Sequence, residues 1–286
     1  MNTHCRMLTE DDSAAVLKTM VAGFSDYIIK IDIDEDGYRQ KFALDGVEYK
    51  SSVGIFDNGA LIGVTMNGVD DWLGKRTVYD AGTVVLSEHR NKGASTRMFE
   101  YQLPKLADLG FESYLLEVIC DNEPALRLYN NFGFETKREL GVFYKKNEYR
   151  ELPLRAGFAF KKIALQDVET SNLYDDTGIA WQNSIGWIRR SEDTNYGLVY
   201  IGLFCGEDLI GIGIVSPRSG KVLRVHVSEG NRRNGFGTSI VNELQKYTPK
   251  PLVFLNQDLA NSEVLSFLQS NECVKKVGQF EMELEF

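Results

Sequence analysis

Two short stretches of this chain carry the residue types and spacing that hold a phosphate group. Arg232-Arg233-Asn234-Gly235-Phe236-Gly237-Thr238 follows the apolar, β-prone run Val222 to Val227 and precedes a helical pattern in Ile240, Val241, Leu244 and Tyr247. Arg90-Asn91-Lys92-Gly93-Ala94-Ser95 follows Thr83 to Leu86 and precedes Met98 and Phe99 on an apolar helical face. A strand entering a basic, glycine-bearing turn and then a helix start makes main-chain N–H groups converge. The unpaired donors of the first helical turn then face the anion. Gly235-Phe236-Gly237 also opens like a dinucleotide G-x-G-x-x-G, but Ile240 stands at the third glycine position. Neither stretch has the G-K-S/T of a P-loop NTPase.

Other candidate chemistry is weaker. Asp32-Ile33-Asp34-Glu35-Asp36-Gly37 imitates the first half of an EF-hand loop, yet Ala43 stands where a bidentate Glu is needed. It reads as a solvated acidic loop, and no metal is expected. Cys5, Cys120, Cys205 and Cys273 are scattered, with no C-x-x-C pair, which predicts reduced thiols. His226, before the second glycine loop, reads as a strand histidine near a cleft mouth, with a general base as the alternative, and Trp72, Trp181 and Trp187 read as packing residues, with acceptor-pocket walls as the alternative.

The 286 residues suffice for two domains. A net charge of −9 argues against a nucleic-acid or anionic-membrane binder, which would need a basic face. No apolar run approaches the ~20 residues that span a bilayer. Glu10, Asp11 and Asp12 stand where a secretory leader would have its apolar core. The expected compartment is the cytoplasm.

The elements that must position the glycine loops come in two matching sets. Val53 to Phe56, a turn at Asp57-Asn58-Gly59, and Leu61 to Thr65 read as a hairpin. Gly54, Phe56, Leu61 and Gly63 recur as Gly202, Phe204, Leu209 and Gly211, each 148 residues on, and the loop glycine Gly93 recurs as Gly235, 142 residues on. Two landmarks repeating in order at so long a period imply tandem domains rather than a solenoid. We divide the chain into residues 1–150 and 151–286, with a linker from Lys145 to Arg150 before Leu152-Pro153. Each half orders its elements as strand, helix, strand meander, glycine loop, helix, strand, helix, strand. That order predicts an α/β (α+β) layered fold. Val16, Leu17, Met20, Val21 and Phe24 form the stripe of the first helix, with Thr9 or Asp12 as its cap. Pro104 predicts a kink in the helix after the first loop.

Both loops resemble the Q/R-x-x-G-x-G/A segment of GCN5-related N-acetyltransferases, the GNAT superfamily. Downstream, Leu116-Glu117-Val118, then Asn122-x-x-Ala125-x-x-x-Tyr129 and Gly133-Phe134, is similar to their second signature. The resemblance implies two GNAT domains, each a mixed, mostly antiparallel sheet flanked by helices, and transfer of acetyl from acetyl-CoA to a primary amine. It implies cofactor contacts from Val84, Val85, Arg90, Asn91, Lys92, Gly93, Ala94, Ser95 and Asn122. In the second half it implies them from Val225, Val227, Arg232, Arg233, Asn234, Gly235, Phe236, Gly237 and Thr238. A bulge in the strand before the loop would splay it from its neighbour and admit the pantetheine arm. Glu117 and Tyr129 match the base and acid positions of ribosomal-protein N-terminal acetyltransferases, with Asp80 as a second candidate base. Strand alternation points Glu117 away from Leu116 and Val118, as a cleft-facing carboxylate requires.

The second half departs from this pattern. Asn256 stands opposite Glu117 and Leu268 opposite Tyr129, while Glu272-Cys273 replaces Gly133-Phe134. An amide is no general base and leucine donates no proton. The expectation is therefore catalysis in the first half on a small-molecule or peptide amine, with turnover in the second half, or CoA binding without turnover, as alternatives. An oligomer is compatible with the sequence but not predicted from it.

Overall fold

The computed structural model describes residues 3–29, 33–146, 149, 154–171, 173–174 and 176–286. The fold is the expected one, a mixed α/β arrangement of mostly antiparallel sheet with helices, in two compact units. The first unit is Met1–Lys137 with Phe280–Phe286, and the second is Arg138–Gln279. Among the described residues no helix is long and apolar enough to cross a membrane.

The first unit contains β1 (Thr3–Met7), α1 (Ser13–Phe24), α2 (Glu35–Asp45), β2 (Val53–Asp57), β3 (Ala60–Trp72), β4 (Lys75–Val85), α3 (Ala94–Asp108), β5 (Ser113–Ile119) and α4 (Glu123–Asn131). Its sheet runs β1-β2-β3-β4-β5 and is completed by the end of β12 (Val274–Glu285). The pairs are antiparallel except β4 with β5, which is parallel. Asn58 and Gly59 take φ of 49° and 85°, the left-handed pair that a tight hairpin turn demands. Val16, Leu17 and Met20 of α1 are buried against Tyr38 and Phe42 of α2 and Val64, Met66 and Val84 of the sheet. Asp12 closes a capping box with Thr9 and is held by Arg6. On the other face Met98, Phe99 and Leu106 of α3 are fully buried, and α3 runs unbroken through Pro104.

The acidic run is no loop where it is described. Asp34 caps α2 by accepting from the Gly37 N–H at 2.8 Å, and Glu35 and Asp36 fill the first turn. Carboxylates favour the positive end of a helix, which explains the composition without an ion. Asp32, the first position of the EF-hand imitation, lies outside the described residues.

The second unit contains most of β6 (Glu135–Lys145), β7 (Phe158–Lys162), α5 (Leu165–Thr170), α6 (Ile185–Asp193), β8 (Val199–Cys205), β9 (Asp208–Val215), β10 (Lys221–Val227), α7 (Phe236–Leu244), β11 (Leu252–Asp258), α8 (Ser262–Ser270) and the start of β12. Its strand order is β6-β11-β10-β9-β8-β7, antiparallel except for the parallel pair β10 and β11. Ile201, Leu203, Ile240, Val241, Leu244 and Leu252 form a fully buried core, and Trp181 and Trp187 are buried too.

The units differ from the sequence division at 150/151 in two strands. β6, from the first sequence half, pairs with β11 through Tyr144↔Val253 and Phe143↔Phe254. The last seven residues, from the second half, belong to the first unit. Main-chain ladders are satisfied by geometry, not by repeat membership. Asn147, Glu148 and residues 150–153 of the expected linker lie outside the described residues, and the part from Lys145 backward is strand.

Candidate active site

Each unit opens one cleft in its sheet, at the same place. β4 and β5 pair only at Thr77↔Ser113, Val78↔Tyr114 and Tyr79↔Leu115, then part. β10 and β11 pair only at Lys221↔Val253 and Val222↔Phe254. A bulge accompanies each parting: Ala81 is the extra residue between Asn67↔Asp80 and Met66↔Gly82, and Leu223 is the extra residue between Val222↔Val215 and Arg224↔Ile214. An extra residue bends its strand and strengthens the local twist.

The glycine loops close the mouths of these clefts with one backbone signature. Asn91 and Gly93 take φ of 59° and 75°, and Arg233 and Gly235 take 62° and 82°. A Cβ added at Gly93 or Gly235 would meet nothing within 4 Å, so glycine answers the backbone angle and the surface above it is open. Helices α3 and α7 start directly after, leaving the N–H groups of their first turns to face outward. Each loop is pinned by its first arginine. Arg90 Nε donates to the Val85 carbonyl at 2.8 Å, and Arg232 Nε to the Val227 carbonyl at 3.1 Å.

Chemistry converges in the first cleft. Asp80, the first residue beyond the paired stretch, accepts from the Gly82 N–H (2.9 Å), the Thr83 hydroxyl (2.7 Å) and the Tyr129 hydroxyl (3.4 Å). Burial pushes its carboxyl up to about 6, against the pull of these bonds. Glu117 receives a hydrogen bond from the Tyr79 hydroxyl on Oε2, while its Oε1 is buried with no hydrogen-bond partner. Burial pushes the Glu117 carboxyl up to about 7; the Tyr79 bond and Lys41 pull it down, and Glu281 and Asp45 push it up. Lys41 and Asp45 are themselves ion-paired on α2. Burial and the Asp80 charge hold the Tyr129 hydroxyl firmly protonated. Asn122 caps α4 by accepting from the Ala125 N–H at 3.3 Å and donates to the Tyr27 hydroxyl at 3.3 Å.

The structure brings Tyr129 to Asp80, and sets Glu117 in a neighbourhood linked to Asp80 through Lys41, whose charge acts on both, and through Tyr79, which bonds Glu117 and feels the Asp80 charge. Sequence reading missed Tyr79, Tyr27, Lys41, Asp45 and Glu281. The i, i+4 spacing of Lys41 and Asp45 was a usable signal, hidden by reading the start of α2 as a loop.

Several expected cofactor contacts change role. The Leu86 N–H donates to the Ile62 carbonyl, so the antiparallel alternation commits the Val84 main chain to Val64 of β3. The outward-facing main-chain groups are those of Thr83 and Val85, not Val84. In the second unit the Ser228 N–H donates to the Ile210 carbonyl, and the same alternation turns the main-chain groups of Val225 and Val227 outward. The Arg90 guanidinium is occupied by Asp26 (2.7 and 2.8 Å) and the Gly23 carbonyl (2.7 Å), which makes it a clasp between the loop and the end of α1. Asn91, Lys92 and Gly93 are exposed, Ser95 is half-buried, and the Ala94 methyl is buried, leaving only its N–H for the cleft. Phe236 packs on Phe158 in a tilted ring pair, centroids 4.7 Å apart, and is core; Gly237 is small because Phe267 would lie 2.8 Å from a Cβ there. Arg233 reaches Glu263 at 3.2 Å, and the Asn234 amide donates to the Asn231 and Arg232 carbonyls.

The second cleft has other side chains at these places. Val222 occupies the place of Asp80. Asn256, with φ of 52°, is buried and its Oδ1 has no partner. Leu268 is buried where the first unit has Tyr129. Arg224, one position past the bulge, approaches Asp176 (3.3 Å) and the Asn183 carbonyl (3.4 Å) and stacks on Tyr174. Val225 packs into the core with α7, so alternation sends His226 to the opposite face, that of Arg224.

Residues 22–134, within the first unit, match the family described as the Acetyltransferase (GNAT) family. The probable N-acetyltransferase san of Drosophila melanogaster is 29% identical over 113 residues, which is 39% of this chain; the chain spans 61% of that protein's length. Among solved structures, a tandem GNAT protein from the clavulanic acid biosynthesis pathway superposes with a TM-score of 0.74 at 10% identity, covering 99% of this chain and 98% of that one. A GCN5-related N-acetyltransferase from Sphaerobacter thermophilus gives 0.73 at 13% identity, covering 99% and 95%. At such identities these two establish the fold alone. Residues 22–134 are thus similar to the GNAT acetyltransferase family, and over its whole length the chain carries the fold of a tandem GNAT protein.

Proposed function

We propose that this chain is an N-acetyltransferase that moves an acetyl group from acetyl-CoA directly to a primary amine, in the cleft of its first unit. The observation that carries the reading is the parting of β4 and β5, which sets a carboxylate with one buried, unpartnered oxygen and a tyrosine–carboxylate pair beneath an anion-binding loop. The residues fit acetyl-CoA, which supplies the activated thioester. The exposed loop and the first-turn N–H groups of Ala94 and Ser95 suit its pyrophosphate, and the outward N–H groups of Thr83 and Val85 suit the arm and the carbonyl. Glu117 Oε1 takes the proton that the amine must lose to attack, a task matched to a carboxyl near 7. Tyr129 delivers a proton to the departing sulfur, with Asp80 orienting the hydroxyl. The scattered thiols and acidic composition fit a cytoplasmic setting.

For the second unit, the full loop beside Val222, Asn256 and Leu268 favours binding of a CoA-type ligand without transfer. Each unit is then a GNAT domain, one catalytic and one supporting.

The test is acetyl-CoA consumption over a panel of amines. Tyr129→Phe should lower kcat by at least about 10-fold, within the range of general-acid effects, and move the KM for acetyl-CoA by less than about 3-fold. Wild-type turnover in that variant would shift the assignment to the second unit.

A further inference from the structure

The base proposed above is held by more than its own strand. Phe280, Met282 and Leu284 of β12 pack with Leu116, Val118 and Tyr129 on one face of the first unit's sheet. The residues between them point the other way. Ser113 Oγ donates to Glu283 Oε1 at 2.5 Å, and the Phe286 N–H donates to the Glu112 carbonyl at 3.0 Å, so β12 lies along β5 with Glu283 on the Ser113 face. Glu281, two residues before Glu283, shares that face with Glu117. Glu281 is only 6% exposed. On the other side of Glu117, β4 supplies Tyr79, whose hydroxyl donates to Oε2.

We propose that Tyr79 and Glu281 are opposed positioning residues on Glu117: Tyr79 fixes one carboxylate oxygen and stabilises its charge, and Glu281, delivered by the last strand, sets a like charge against it. Taking Glu117 as the base rests on the function proposed above; the opposition itself does not. Tyr79 occupies Oε2 through its hydrogen bond and leaves Oε1 as the oxygen without a hydrogen-bond partner. Glu281 keeps the carboxylate avid for that proton, since two carboxylates on one buried face resist ionising together. The remaining charged neighbours are Asp45, which adds to the repulsion, and Lys41, which offsets it, both from α2. Asp80, beside Tyr79 on β4, acts on the tyrosine hydroxyl.

The experiment is a carboxyl NMR titration of the full chain carrying glutamate labelled with carbon-13 at Cδ, with the Glu117 resonance assigned by its loss in Glu117→Gln. Glu281→Gln should lower the Glu117 midpoint and Tyr79→Phe should raise it, each by about one pH unit. Shifts in the same direction, or an unmoved midpoint in Glu281→Gln, overturn the proposal. If Tyr79→Phe does not fold, Glu281→Gln decides alone by the sign of its shift. Acetyl transfer by Glu117→Gln judges the base assignment separately: retained transfer removes Glu117 as the base while the opposed shifts stand.

Discussion

At the scale of single residues, the first cleft spends stability on chemistry. The Glu117 carboxyl is pushed up from the ordinary glutamate range to about 7, chiefly by burial. The folded chain therefore holds this proton more tightly than the unfolded one. The contribution to stability is present below the unfolded value and is lost as pH rises through about 7. Glutamine keeps the shape and an acceptor for the Tyr79 hydroxyl but cannot ionise. Glu117→Gln should melt at least about 3 °C above the wild type at pH 8, and the gain should vanish near pH 4.5. A thermal melt series across pH checks this without any substrate. A gain independent of pH would mean that Glu117 ionises in the folded chain as freely as in water. Asn122 shows how a signature residue can serve the fold first: it caps α4, the helix that carries Tyr129, and donates to the Tyr27 hydroxyl.

At the scale of elements, the two glycine loops share a backbone but not an anchorage. Arg232 is tied through Nε to Val227, whereas Arg90 adds an ion pair with Asp26 and a bond to Gly23 at the end of α1. Gly23 is small because α1 lies hard against β4; a Cβ there would come within 2.1 Å of Val84. The first loop is thus braced by the helix that also packs under the cleft. Arg90→Ala should lower the urea midpoint and weaken acetyl-CoA binding through a loosened loop. Arg232→Ala should lower the midpoint less than half as much. Paired urea titrations of the two variants, with isothermal titration of acetyl-CoA, separate anchorage from direct contact. Unchanged stability in Arg90→Ala would leave direct phosphate contact as the arginine's role.

At the scale of the whole molecule, sequence repeat and compact unit are different divisions. Met282 belongs to the second repeat but is fully buried in the first unit's cluster with Phe99, Tyr114 and Phe134. Met282→Ala should therefore destabilise the first unit by about 2–4 kcal/mol, the usual cost of truncating a buried large side chain. Hydrogen exchange should show lost protection in β5 and α4. Protection lost only within residues 138–279 would assign the strand to the second unit instead.

The sequence by itself determined the parts that depend on local conformation. Positive backbone angles at Gly93 and Gly235, the hairpin at Asn58-Gly59 and the buried stripe of α1 all follow from residue type and spacing within a few positions. The duplication was legible for the same reason, since repeated local needs leave repeated residues. What required the tertiary structure were relations between distant positions. Residues 75–85 could not reveal that Tyr79 bonds to Glu117, that Asp80 receives Tyr129, or that the Val84 main chain is already committed to β3. No local pattern brings Glu281 to the first cleft, because strand neighbours are chosen by the ladder that remains open rather than by nearness in the chain. The glycine loop was therefore written locally, while the cluster of Tyr79, Asp80, Glu117 and Tyr129 beneath it was assembled by the fold.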